Sequence, residues 1–104
     1  MGKVYYEIFI SAEDQKQADA ILNSLLEKRL VTGGQFLKDP ARFLWKGQVE
    51  DIDYITITSF TTNDKKKAVI KDVERTATEE FPMIRFIQIE VNSKLANWIE
   101  ETLV

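Results

Sequence analysis

The sequence predicts an α+β domain in which four strands and two helices follow the order β-α-β-β-α-β, with a third helix at the end. Three observations carry this expectation. Residues 4–11, 53–61 and 84–91 are short runs rich in β-branched and aromatic side chains, as half-buried strands are. Between them, apolar residues recur at helical spacing over residues 18–30 and 68–77. Phe43-Leu44-Trp45-Lys46-Gly47 enters a long alternating strand, with the turn at Gly47.

Taken in order, Val4-Tyr5-Tyr6-Glu7-Ile8-Phe9-Ile10-Ser11 forms the first strand. Ser11 precedes Ala12-Glu13-Asp14, a Ser-x-x-Asp spacing that suits a helix N-cap with acidic groups at the positive end of the helix dipole. Ala18, Ile21, Leu22, Leu25, Leu26 and Leu30 then make one buried stripe, and this helix ends near Arg29. Thr32-Gly33-Gly34 breaks the helical period. A second strand starts through Gln35-Phe36-Leu37 and is interrupted at Asp39-Pro40, because proline has no amide hydrogen and belongs at an edge, a bulge or a turn. Residues 43–49 resume the extended pattern around Gly47, and residues 53–61 alternate as a strand with one buried and one wet face. Asn63 or Asp64 caps the second helix, whose apolar positions are Ala68, Val69, Val73 and Ala77, and which stops before Pro82. Residues 84–91 form the last strand, and Asn92-Ser93 caps a terminal helix carrying Leu95, Trp98, Ile99 and Leu103.

This order is the ferredoxin-like split unit, a four-stranded antiparallel sheet with two helices on one face. Residues 1–104 fit a single domain of that kind. Tyr5, Tyr6, Ile8, Phe9 and Ile10 are apolar at both parities, which is how a sheet covered on both sides reads. Two helices cover one face only, so the terminal helix or a second subunit is expected on the other.

Composition closes most chemistry. The chain is 44% hydrophobic and 30% charged, far from the composition of disordered chains. Its 14 Lys+Arg against 17 Asp+Glu give a net charge of −3, with no basic field to neutralise phosphates, so nucleic acid is not an expected partner. The short run Lys65-Lys66-Lys67 reads as a solvated helix start. With neither Cys nor His, the chain lacks thiolate ligands, disulfides, the commonest transition-metal ligand and the commonest general base. No apolar run approaches the ~18 residues of a membrane span, and Gly2-Lys3 leads into a strand pattern, so a cytoplasmic protein is expected.

The helix end Leu25-Leu26-Glu27-Lys28-Arg29-Leu30, the Phe43-Leu44-Trp45-Lys46-Gly47 unit, the strand end Thr61-Thr62, Pro82 before the last strand, and Asn97-Trp98-Ile99 occur in an order and at separations that together resemble the CutA family of divalent-cation tolerance proteins. The resemblance runs from about residue 4 to the C-terminus. It implies a ferredoxin-like subunit in an interlocked homotrimer, with the long hairpin of the second and third strands reaching onto a neighbour. The same plan is shared by PII-type signalling proteins, so a small-ligand or nucleotide-binding regulator is a further possibility by analogy.

Departures from the family pattern bear on function. Gly33 stands at the family's Cys position, within Val31-Thr32-Gly33-Gly34-Gln35. Of the family's His-Pro-Tyr-x-x-Pro-Glu only Pro82 survives, within Ala77-Thr78-Glu79-Glu80-Phe81-Pro82-Met83. Tyr54 takes the place of an acidic residue, beside Asp53, and Phe43 the place of a Tyr. Copper ligation attributed to the family's Cys and His is therefore not carried over.

Two sets of site residues follow. Glu50, Asp51 and Asp53 are the candidates for an all-oxygen divalent-cation site, with solvated acidic turns as the plainer reading, because no calcium-loop spacing accompanies them. Gly33, Phe43, Trp45, Gly47, Tyr54, Pro82 and Trp98 are the candidates for an inter-subunit cleft or interface that packs subunits together or takes a small ligand. No catalytic residues are expected. The adjacent pairs Glu79-Glu80 and Glu100-Glu101 diverge by ~100° on a helix and face apart, and no His stands by to activate a serine. The expected protein is a non-enzymatic homotrimer without a cofactor, linked to metal-ion tolerance or ligand sensing, with a carboxylate-based cation binder as the alternative.

Overall fold

A computed structural model describes residues 2–104. Its elements are β1 (Tyr5–Ala12), α1 (Gln15–Glu27), β2 (Gln35–Trp45), β3 (Gln48–Thr62), α2 (Lys66–Thr76), β4 (Ile84–Ile89) and α3 (Ser93–Thr102), with a 3-10 turn over Asn63–Lys65 leading into α2. The strands form one sheet in the order β2-β3-β1-β4, every neighbouring pair antiparallel. This is the ferredoxin-like arrangement that the element order predicts.

Strand register sorts the side chains. Ile8, Ile10 and Ala12 of β1 stand opposite Ser59, Ile57 and Ile55 of β3, so all six share one face. Against that face α1 lays Ala18, Ile21, Leu22 and Leu25, and α2 lays Val69 and Val73, in a single buried cluster. Truncating a fully buried member such as Leu25 or Ile57 to Ala removes about 2–5 kcal/mol. Tyr5, Glu7 and Phe9 point the other way. There α3 returns to the sheet, burying Ile99 and Leu103 and accepting the Tyr5 hydroxyl on Glu100. Leu37, Ile52 and Ile87 stay exposed on strands of the same sheet, so the terminal helix covers only part of this second face.

The helix and strand ends correct several sequence expectations. Ser11 is not the cap of α1. It remains in β1, where its amide donates to the Met83 carbonyl at 3.0 Å, and Asp14 caps the helix by accepting from the Gln17 amide at 2.9 Å. At the other end Arg29 takes a left-handed φ of 54°, and Leu30 and Arg29 amides return to the Leu25 and Leu26 carbonyls. That is a Schellman close, here with Arg where Gly is usual.

Asn63 does not cap α2 either; its side chain accepts from the Val4 amide at 3.0 Å and ties the strand start to the end of β3. Pro40 does not interrupt β2. The strand runs unbroken because it is the sheet's edge, which tolerates proline where the missing amide hydrogen would have pointed outward, away from the ladder. β3 begins at Gln48 and not near Asp53, and β4 ends at Ile89. Lys66 is less solvated than a charge run suggests, with its ammonium 4.3 Å from the Tyr6 ring centroid.

Candidate functional site

The hairpin of β2 and β3 positions the site. Trp45 pairs with Gln48, leaving a two-residue turn in which Lys46 and Gly47 both have positive φ, 50° and 80°. This is the turn whose twist suits a tight hairpin, and Gly47 meets its demand without a Cβ clash. The turn carries the hairpin well past β1, which pairs no further than Ile55.

Beyond that point the hairpin meets the segment between α2 and β4. The Phe81 ring stacks on Trp45 at 6.0 Å between centroids and 18° between planes. Phe43 lies against Tyr54 at 5.7 Å. Between hairpin and segment opens a cleft of about 470 Å³, with these four rings, Leu44, Ile52 and Met83 as its apolar lining. Its polar lining is Ser11, Glu13, Glu79 and Glu80.

Ser11 fastens the segment to β1. Its buried hydroxyl donates to Glu79 Oε1 at 3.0 Å and accepts the Met83 amide at 2.8 Å. Thr78 extends the network, its hydroxyl donating to Glu13 Oε1 at 2.9 Å and its amide to the Gln17 side-chain carbonyl. Burial pushes the Glu79 carboxyl above its ordinary range; the bond from Ser11 opposes this and the nearby Glu13 charge adds to it. Glu80, more exposed, receives the Lys46 ammonium at 3.4 Å, and that ammonium lies 5.4 Å from the Trp45 ring centroid.

Of the expected cleft residues, Phe43, Trp45 and Tyr54 line this one, and Pro82 sits between two of its lining residues, Phe81 and Met83. Gly47 forms the hairpin tip next to it. Gly33 does not share it: β2 separates Gly33 from Trp45 by about ten strand residues, or ~33 Å. Trp98 lies half-exposed on α3 and does not line the cleft.

The acidic candidates are not gathered by the fold. Glu50, Asp51 and Asp53 lie within β3, not at a turn, and alternation sends Glu50 to the opposite face from the other two. Asp51 is taken by Arg42 Nε at 2.6 Å, and Asp53 faces Pro40 across the ladder. Among the described residues no three Asp or Glu side chains stand close enough to hold a metal ion. Sequence reasoning did not connect Ser11, Glu13, Glu79 and Phe81 with Trp45. The one available signal was Phe81, an aromatic residue in a loop beside a proline.

The family of CutA1 divalent ion tolerance proteins matches residues 6–102. The chain belongs to that family. It is 26% identical over 99 residues to the divalent-cation tolerance protein CutA of Thermotoga maritima, spanning 93% of this chain and 97% of that one. To the CutA of Archaeoglobus fulgidus it is 29% identical over 97 residues, spanning 92% and 95%. The solved structure of the periplasmic divalent cation tolerance protein CutA from Archaeoglobus fulgidus superposes at a TM-score of 0.91, covering 96% of this chain and 99% of that one at 27% identity. The divalent ion tolerance protein CutA1 of Ehrlichia chaffeensis, 19% identical, also reaches 0.91 over 100% and 99% of the two chains and so shares the fold. Within the CutA1 frame, this chain carries Gly33 in an open position, with nothing within 4 Å of where a Cβ would stand.

Proposed function

We propose that this CutA1-family chain acts in divalent-cation tolerance as a non-enzymatic homotrimer that offers the cleft between hairpin and loop to a small ligand. The projecting apolar hairpin is the observation that carries the assembly. Leu44 and Val49, cross-strand partners near its tip, are 75% and 68% exposed. The whole chain presents 6936 Å² of surface, where a compact monomer of 12.0 kDa presents about 6,000 Å². Its radius of gyration is 14.4 Å against about 13 Å for a compact chain of this length. Excess surface of that kind, apolar at its extremity, suits an element made to be covered by neighbours.

A non-enzymatic role fits the site's chemistry. The Ser11 hydroxyl is committed to Glu79 and the Met83 amide, and a carboxyl raised by burial is at once a hydrogen-bond acceptor and a structural group here. The dispersal of Glu50, Asp51 and Asp53 gives no support to a carboxylate cage.

Light scattering coupled to size exclusion tests the assembly: a mass of about 36 kDa is expected, three times the 12.0 kDa chain, and a monomer overturns it. Growth of a deletion strain in graded Cu²⁺ and Zn²⁺ tests the tolerance role, with unchanged growth counting against it. The Archaeoglobus relative is described as periplasmic, whereas a cytoplasmic location is proposed for this chain; cell fractionation decides between them.

A further inference from the structure

We propose that the cleft between hairpin and loop receives a small organic ammonium ion with an aromatic body, which rests on the reading above of this cleft as the ligand site and names its ligand class. Aromatic faces attract cations through the ring quadrupole, most strongly where water is excluded. Here Phe43, Trp45, Tyr54 and Phe81 share a concave surface with Glu13, Glu79 and Glu80. A volume of about 470 Å³ lies in the range of small-molecule sites, and its lining is mainly apolar with a few polar groups, as such sites require.

The protein supplies its own stand-in for the ligand's head group. Lys46 places an ammonium between the Trp45 face and Glu80 Oε1, a carboxylate-and-ring arrangement that an incoming cation would reproduce. Lys46 is fixed at the hairpin tip, and among the described residues no Lys or Arg forms an ion pair with Glu13 or Glu79. One tethered cation thus serves a cleft with three carboxylates. An inorganic divalent ion is the poorer fit, since it wants about six oxygens in a defined shell and leaves the aromatic volume unused. A benzylic or longer ammonium fills both parts at once.

Benzyltrimethylammonium is the probe, titrated into the intact protein by calorimetry and, in a Trp98→Phe background, by fluorescence of Trp45 as the remaining Trp. Saturable binding with quenching is expected, benzyl alcohol should fail to compete, and Trp45→Leu or the double variant Glu79→Gln/Glu80→Gln should weaken binding by about tenfold or more. Lys46→Ala should tighten it by removing the internal competitor, a change that a purely structural role for Lys46 does not produce. Absence of saturation at about 10 mM probe, a weaker limit than millimolar affinity, overturns the proposal. Equal binding of benzyl alcohol, or binding unmoved by the double carboxamide variant, overturns it as well. Mass is recorded on the same samples: a trimer that binds no probe removes the ligand class alone, and a monomer that binds it removes the assembly alone.

Discussion

At Ser11 one hydroxyl joins an amide and a carboxyl group from a segment more than sixty residues away, and the carboxyl it holds is that of Glu79, which burial pushes above its ordinary range. The sign of the resulting pH dependence is fixed. A carboxyl raised in the folded state favours folding fully below its unfolded value, ~4.3, and that contribution is lost as pH rises through the folded value. Glu79→Gln has no such titration, so its stability relative to wild type should grow from about pH 4 upward and level off once the carboxyl is ionised; urea midpoints across pH, at fixed protein concentration, read this. A wild type that gains on the variant as pH rises contradicts the assignment. The two neighbouring glycines make a second test. A Cβ on Gly34 would stand 2.7 Å from Leu22 Cδ2, and Leu22 is buried in the core, so Gly34→Ala should cost about 1–3 kcal/mol. Gly33 meets nothing within 4 Å, and Gly33→Cys, which restores the family's residue type, should stay within about 0.5 kcal/mol of wild type. Thermal unfolding of both variants checks the contrast, which is steric and so not legible in the sequence: Gly33 was marked out there by the family's Cys position, not by the space around it.

Among the elements, those with a local cause were legible. The terminal helix starts where Asn92 accepts from the Leu95 amide, and the hairpin turns at Gly47, because caps and positive-φ turns are written in the residues that make them. Where two residues of the right type compete, the nearby pattern misleads: Ser11 has the spacing of a cap, yet its pairing with Thr56 and its hydrogen bonds to Met83 hold it in the strand, and Asp14 caps instead. Pro40 reads as an interruption until the strand order shows β2 to be the edge. The cleft was legible in its hairpin half and at Pro82, but no local pattern announces that Phe81 comes to rest on Trp45. The contact between α1 and α2 is another non-local product. Asp72, nearly buried on α2, is bound by Arg75, by Lys28 at 3.0 Å and by the Ser24 hydroxyl at 2.8 Å. Burial works to raise its carboxyl, and the bonds from Arg75, Lys28 and Ser24 outweigh burial and hold it below the usual range. Its stabilisation is therefore present above the unfolded value of ~3.9 and lost as pH falls through the folded one. Asp72→Asn should cost about 1–2 kcal/mol at neutral pH, less than a fully buried pair because both cationic heads are partly solvated, and the difference should shrink in acid.

For the whole molecule, the surface that one chain leaves open predicts how copies meet. Helices α1 and α2 cover one sheet face and α3 only part of the other, while the hairpin carries Leu44 and Val49 out to its tip. Ferredoxin-like order was readable from local periodicity, but the length of this projection was not, since it depends on Pro40 lying in an edge strand and on β3 starting as early as Gln48. Leu44 and Val49 face each other across the ladder, so replacing them with Glu and Lys exchanges an apolar pair for an opposite-charge pair that keeps the hairpin paired. The double variant Leu44→Glu/Val49→Lys should retain the wild-type far-ultraviolet spectrum while its mass falls from that of the proposed trimer, about 36 kDa, toward the 12.0 kDa chain on dilution. Glu74→Gln, an exposed change on α2, should leave the mass unaltered. If the charged hairpin still assembles with wild-type concentration dependence, subunits are held elsewhere and the tip is not their contact; if Glu74→Gln dissociates as well, the loss is not specific to the hairpin and the tip is not singled out.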